Sequence, residues 1–241
     1  MASLAAADDD DDVNDHEISR RFSLGNKEDE FTSALEEAEE GMDYSTVSEL
    51  MHAAVEQRED FGEDWADFAE AACDSMLRMT SDSAACAAEA EAAADACNTA
   101  IMVLKGSLEE AAVVEVALAL VKSLAKETSN KARFAESASE IGEAIVQAMR
   151  THSEGEASLQ DQACLAIEAL ATDNYANAAA LCAAGAVTAV GAAKELITNE
   201  RNKPHADNAL RALTKAVCPV DHPRYMPKDD APASAAAAEE G

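Results

Sequence analysis

Basic side chains are scarce in this chain of 241 residues: 18 lysines and arginines stand against 48 aspartates and glutamates, a formal net charge of −30. Contacts to nucleic-acid phosphates need Lys and Arg, so the balance argues against a nucleic-acid binder. It argues equally against attraction to an anionic membrane surface. Aromatics are rare too, at 4%, with nine Gly and five Pro. So few turn residues speak against a turn-rich all-β fold. A core short of rings must be built from Ala, Leu, Val, Met and Cys, which suits closely approaching helices. The most apolar run, "AAVVEVALALV" at 111–121, is too short to span a bilayer and carries Glu115. The start, "MASLAAADDD", lacks the basic region and long apolar run of a secretory signal.

Motifs that carry chemistry are missing as well. There is no Gly-rich phosphate loop. His16, His52, His152, His205 and His222 are scattered, and no Ser/His/Asp or Cys/His arrangement can be assigned among them. Cys73, Cys86, Cys97, Cys164, Cys182 and Cys218 form no C-x-x-C pair and have no His at ligand spacing. They fall among alanines on helical faces, where a reduced thiol behaves as a small hydrophobe, and the implied compartment is cytosol or nucleus. "DDDDDVNDHE" lacks the glycine and closing Glu of a calcium loop. "EEAEEG" and "DDDDD" read as solvated charge runs. The expectation is a protein that is not an enzyme and has no metal or cofactor.

What the chain has is a 48% apolar fraction and an uneven charge. Residues 1–40 hold fourteen acids and three bases, whereas 110–218 hold fourteen acids and ten. Residues 1–30 read as a disordered acidic leader, and 219–241, rich in Pro, Asp and small residues, as a disordered tail. Between them nearly everything reads as helix, and it repeats. "EAACDSMLRMT" (70–80), "EVALALVKSLA" (115–125), "DQACLAIEALA" (161–171) and "DNALRALTKAV" (207–217) align with Ala72, Ala117, Ala163 and Ala209 in one column, at offsets of 45, 46 and 46. The next columns hold Cys73, Leu118, Cys164 and Leu210, then Met76, Val121, Ile167 and Leu213, then Met79, Leu124, Leu170 and Ala216. Apolar residues three to four apart make one buried helical face.

In the clearest unit the helix is followed by a polar break, "TDNYAN", a short helix "AAALCAA", then Gly185 and "AVTAVGAAKELI". Gly185 sits where a helix must end and turn sharply, a place for positive φ. Pro204 suits the first turn of the next helix. Second-helix stretches are predicted at 94–104 and 139–149. A helix over 44–57 puts Val47, Leu50, Met51, Ala54 and Val55 on one face, and Trp65, Phe68, Ala72 and Cys73 share a stripe.

The stretch "DQACLAIEALATDNYANAAALCAAGAVTAVGAAKEL" (161–196), with its "AAGAV", resembles the armadillo repeat, a three-helix unit of roughly forty to fifty residues. The likeness is good over 161–197, fair over 115–150 and 207–217, and weak over 44–106. It implies an all-α, right-handed α-solenoid of about three to four units over 31–218. The units would be 44–69 (partial), 70–114, 115–160, 161–206 and 207–218 (partial), with a concave surface for a protein or peptide. Importin-alpha-like relatives carry Trp and Asn four residues apart on the concave helix. The matching pairs here are Asp74/Arg78, Ala119/Ser123, Leu165/Ala169 and Arg211/Lys215, so that recognition chemistry is missing.

Candidate partner-binding residues lie at the positions that avoid the apolar stripe: Asp74 and Arg78, Lys122, Glu168, Arg211 and Lys215. "RRFSL" (20–24) resembles a basophilic-kinase acceptor site at Ser23, where phosphate would cancel the charge of Arg20 and Arg21. The reading is therefore a non-enzymatic scaffold or adaptor. The alternatives are an acidic escort for a basic protein and a structural subunit of a larger assembly.

Overall fold

The computed structural model describes residues 27–81 and 90–217, with side chains over most of that length. Among these residues all regular structure is helical. The helices are α1 (Lys27–Gly41), α2 (Tyr44–Glu56), α3 (Arg58–Phe61), α4 (Trp65–Ser81), α5 (Ala90–Gly106) and α6 (Ala111–Leu124). They continue with α7 (Thr128–Glu136), α8 (Ala138–Thr151), α9 (Ala157–Ala171), α10 (Tyr175–Ala184), α11 (Ala186–Leu196) and α12 (Lys203–Val217). The chain forms two compact units, one ending at Asn130 and the other starting at Lys131. The first turn of α1 occupies the last positions assigned to the leader.

In the first unit α2 starts because Asp43 caps it: its carboxylate accepts from the Thr46 amide at 3.1 Å and from the Thr46 hydroxyl at 2.7 Å. Val47, Leu50, Met51, Ala54 and Val55 are all buried, as the spacing predicts. Helix α2 packs on α4 and α5, and the Tyr44 hydroxyl reaches the Met79 carbonyl at 3.4 Å. Helices α4 and α6, which carry the first two of the aligned sequence segments, lie against each other. Their columns meet in the core: Ala72, Cys73, Met76 and Met79 on α4, Ala117, Leu118, Val121 and Leu124 on α6. Each fully buried Leu or Met contributes about 1.5–3 kcal/mol, so this seam is a main support of the unit. Gly106 lets α5 close on α2, since a Cβ there would collide with Val55 Cγ1.

Helix α1 covers the other side of α2 and α4. It buries Phe31, Leu35 and Ala38 and exposes Asp29, Glu36, Glu37 and Glu40. Phe31 is one of three mutually packed rings, 5.7 Å from Phe61 and 4.9 Å from Phe68, which are 5.2 Å from each other.

In the second unit α9 and α12, which carry the last two aligned segments, pack along each other, with Ala163, Ile167, Ala209 and Leu213 fully buried. Helix α10 lies against α8 at Gly142, where an added Cβ would stand 3.3 Å from the Ala180 carbonyl oxygen. The Asn174 side chain caps α10, accepting from the Asn177 amide at 3.1 Å. Gly185 ends it with φ 98° and ψ 23°, as the sequence predicts, and α11 leaves at 75°. Arg150 Nη2 donates to the Ala184 carbonyl at 3.2 Å, closing the end of α10.

Two polar ties fix the start of α9. Asp161, buried, accepts from Asn202 Nδ2 at 2.9 Å and faces His205 Nδ1 at 2.7 Å, anchoring the start of α12. Gln160 Nε2 donates to the Met149 and His152 carbonyls, both at 2.9 Å. Pro204 stands in the first turn of α12. The second-helix stretches are helical over wider spans than the sequence marks, 90–106 and 138–151.

Candidate functional site

The outward columns of the repeated helices were the sequence candidates, and the two units place them differently. In the first unit Arg78 is consumed by structure. Its Nε and Nη2 grip Glu39 Oε1 and Oε2 at 2.8 and 2.7 Å, Nη1 pairs with Asp74, and Nη2 donates to Ser75 Oγ at 2.9 Å. The hydrogen bonds from Arg78 hold the Glu39 carboxyl below its ordinary value, with the Ser75 hydroxyl adding to the effect. Arg78 therefore fastens α1 onto α4, and Asp74, on the same helix as Arg78, holds the guanidinium in place. Lys122, on α6, is half-buried. Ser123, the counterpart of the concave-helix Asn in the armadillo resemblance, is buried, because α6 packs against both α4 and α5 and so hides a wider arc than one apolar stripe.

In the second unit the outward rows stay open. Leu165, Glu168 and Ala169 on α9 are half-buried, and Thr172 is exposed. Arg211 and Lys215 on α12 are exposed. Arg211 Nη1 donates to the neutral Asn208 amide oxygen at 3.0 Å, and Lys215 Nζ stands 3.6 Å from Asp173 Oδ1, both side chains largely in solvent. Of the six sequence candidates, Glu168, Arg211 and Lys215 share this unit, while Asp74, Arg78 and Lys122 lie in the other. Ser23 lies outside the described residues, as does nearly all of the leader and the tail.

Between the C-terminal ends of α9 and α12 opens a cleft of about 250 Å³ lined by Ala171, Thr172, Asp173, Asn174, Tyr175, Ala212 and Lys215. Tyr175, the first residue of α10, is 67% exposed at its mouth. Asp173 holds φ 56°, a left-handed turn that Asp tolerates better than most residues. The turn is braced: Asn174 Nδ2 and Asn177 Nδ2 both donate to the Lys131 carbonyl, at 3.2 and 3.0 Å, and Lys131 Nζ donates to the Thr172 carbonyl at 3.0 Å. Sequence reasoning passed over Tyr175 and Asp173 because "TDNYAN" reads as a polar break. The available signal was an aromatic inside that break, immediately before a small-residue helix.

His205 is engaged with Asp161, and His52 lies 3.9 Å from Glu56, so neither sits beside a nucleophile in these contacts. Burial pushes the Cys73 and Cys164 thiols up to about 12, so they are core packing rather than nucleophiles. Among the described residues no three His, Cys, Asp or Glu side chains converge to hold a metal ion, and no single helix is long and apolar enough to cross a membrane. No family model, curated protein or solved structure matches the chain.

Proposed function

We propose that this chain is a non-enzymatic protein-interaction scaffold, an armadillo-type α-solenoid that holds a protein or peptide partner on the outward rows of its repeated helices. The observation that carries the reading is the pairing of the copies. Where α4 meets α6 and where α9 meets α12, residues of the same column (Ala72 with Ala117, Ala163 with Ala209) are fully buried. Small side chains in that column allow close helix approach, and the step of 45–46 residues runs on unchanged from Ala117 to Ala163. Stacked repeats offer a preformed surface, so the partner bears most of the ordering cost. Buried thiols without a disulfide at Cys73 and Cys164 support a reducing compartment, cytosol or nucleus.

Affinity purification of the full chain from its own cells tests the reading. A partner recovered in fixed stoichiometry, and reduced by charge reversal at Glu168, Arg211 and Lys215 while helical content stays constant, supports it. Recovery of no such partner, or equal recovery by the variant, contradicts it. The escort reading is separated by removing residues 1–26, which leaves α1 in place: loss of every partner on that deletion assigns binding to the acidic leader.

A further inference from the structure

We infer that the cleft between the ends of α9 and α12 is a docking pocket for an acidic peptide segment that carries an aromatic side chain. The inference rests on the scaffold reading and names the kind of partner this face fits. Three features of the cleft point the same way. Lys215 lines the cleft; Arg211, outside the lining, stands one turn before it on the exposed face of α12 beside the wall residue Ala212, and like charges at that spacing repel. Their pairing within the chain is loose: Arg211 bonds a neutral amide, and Lys215 has Asp173 at 3.6 Å with both side chains more than two-thirds exposed. Charge complementarity therefore favours carboxylates on the occupant. The surroundings permit this despite the net charge of the chain, because residues 131–217 carry eight bases against eleven acids.

Tyr175 supplies the second feature. Its ring is largely exposed at the mouth, whereas Tyr44, in the first unit, is buried. An exposed tyrosine beside a cavity is the residue type that anchors interfaces, giving a broad apolar face at low entropy cost. The third is the small-residue lining: Ala171 and Ala212 leave room for a partner ring to lie against Tyr175. Thr172 Oγ1 donates to the Glu168 carbonyl at 2.7 Å, which leaves its lone pairs to accept from a peptide amide. The Asn174 side chain is committed to α10 and to Lys131 and serves only as wall.

The test is a fluorescence-anisotropy titration of the full chain with a fluorescein-labelled hexapeptide of order Asp-Glu-Phe-Asp-Tyr-Glu, against a control with lysine at every acidic place. The acidic peptide is expected to bind saturably and the control not to. Tyr175→Ala and the double variant Arg211→Glu/Lys215→Glu each weaken binding at least tenfold. Asp173→Asn keeps the left-handed turn and removes the carboxylate that competes for Lys215, so it tightens binding about two- to fivefold. Equal binding by Tyr175→Ala and the double variant, no saturable binding, or a preference for the lysine peptide overturns the inference. A tenfold gain on Tyr225→Ala would instead give the cleft to the chain's own 218–241 segment, which holds Tyr225, Asp229 and Asp230, and also overturns it. Any of these failures removes the cleft alone; the scaffold reading falls only if the full chain captures no stoichiometric partner.

Discussion

Glu39 and Arg78 show how much a single pair can decide. Two parallel hydrogen bonds between guanidinium and carboxylate fasten α1 to α4. Because the Glu39 carboxyl is held below its ordinary value, its contribution is present above the usual glutamate range and is lost as pH falls through the lowered folded value. Both groups are partly in solvent, so the pair contributes no more than about 1 kcal/mol. Glu39→Gln should lower the unfolding free energy by about that amount at pH 7, and the difference from wild type should shrink on acidification; urea titrations at pH 7 and pH 3.5 measure it. Buried cysteines give a second residue-scale prediction. With their thiols pushed up to about 12, Cys73 and Cys164 should react with iodoacetamide at pH 8 at least about a hundredfold slower than an exposed thiol. Timed alkylation with peptide mass spectrometry reads this, and fast modification would mean the seams open readily. Gly185→Ala places a Cβ at φ 98° and 2.8 Å from Arg150 Nη2, and should cost about 1–2 kcal/mol.

At the scale of elements, the helices were legible where the pattern is amphipathic and punctuated. Ala72, Ala117, Ala163 and Ala209 were placed in one column from spacing alone, and all four are fully buried. The turn at Gly185 was legible because only a left-handed residue joins two helices so abruptly. What was hidden has a physical reason. Glu39 lies 39 residues before Arg78, and no local pattern encodes a tertiary ion pair, so Asp74 and Arg78 read as open surface. The burial of Ser123 was hidden because it depends on how many neighbours a helix has, which periodicity does not count. The cleft was invisible for a similar reason: Tyr175 and Lys215 are 40 residues apart and meet through the packing of α10 and α12. Helix α1 carries the prediction for this scale. Phe31→Ala removes the ring that α1 contributes to the three-ring cluster and should destabilise by about 3–5 kcal/mol. Amide exchange in α1 should quicken more than in α9; equal exchange in both would show that α1 is not held by its rings.

For the whole molecule, Arg211 and Lys215 are two exposed cations of the second unit, one bonded to a neutral amide and the other 3.6 Å from a carboxylate. The scaffold reading depends on the repeated helices bearing directly on one another, and a double-mutant cycle across α9 and α12 tests this. Ile167 and Leu213 occupy the same column on two packed helices and are both fully buried. Urea unfolding of Ile167→Ala, Leu213→Ala and the double variant gives their coupling. Two side chains that share one seam should couple by at least about 0.5 kcal/mol, and losses that add to within about 0.3 kcal/mol would contradict the seam.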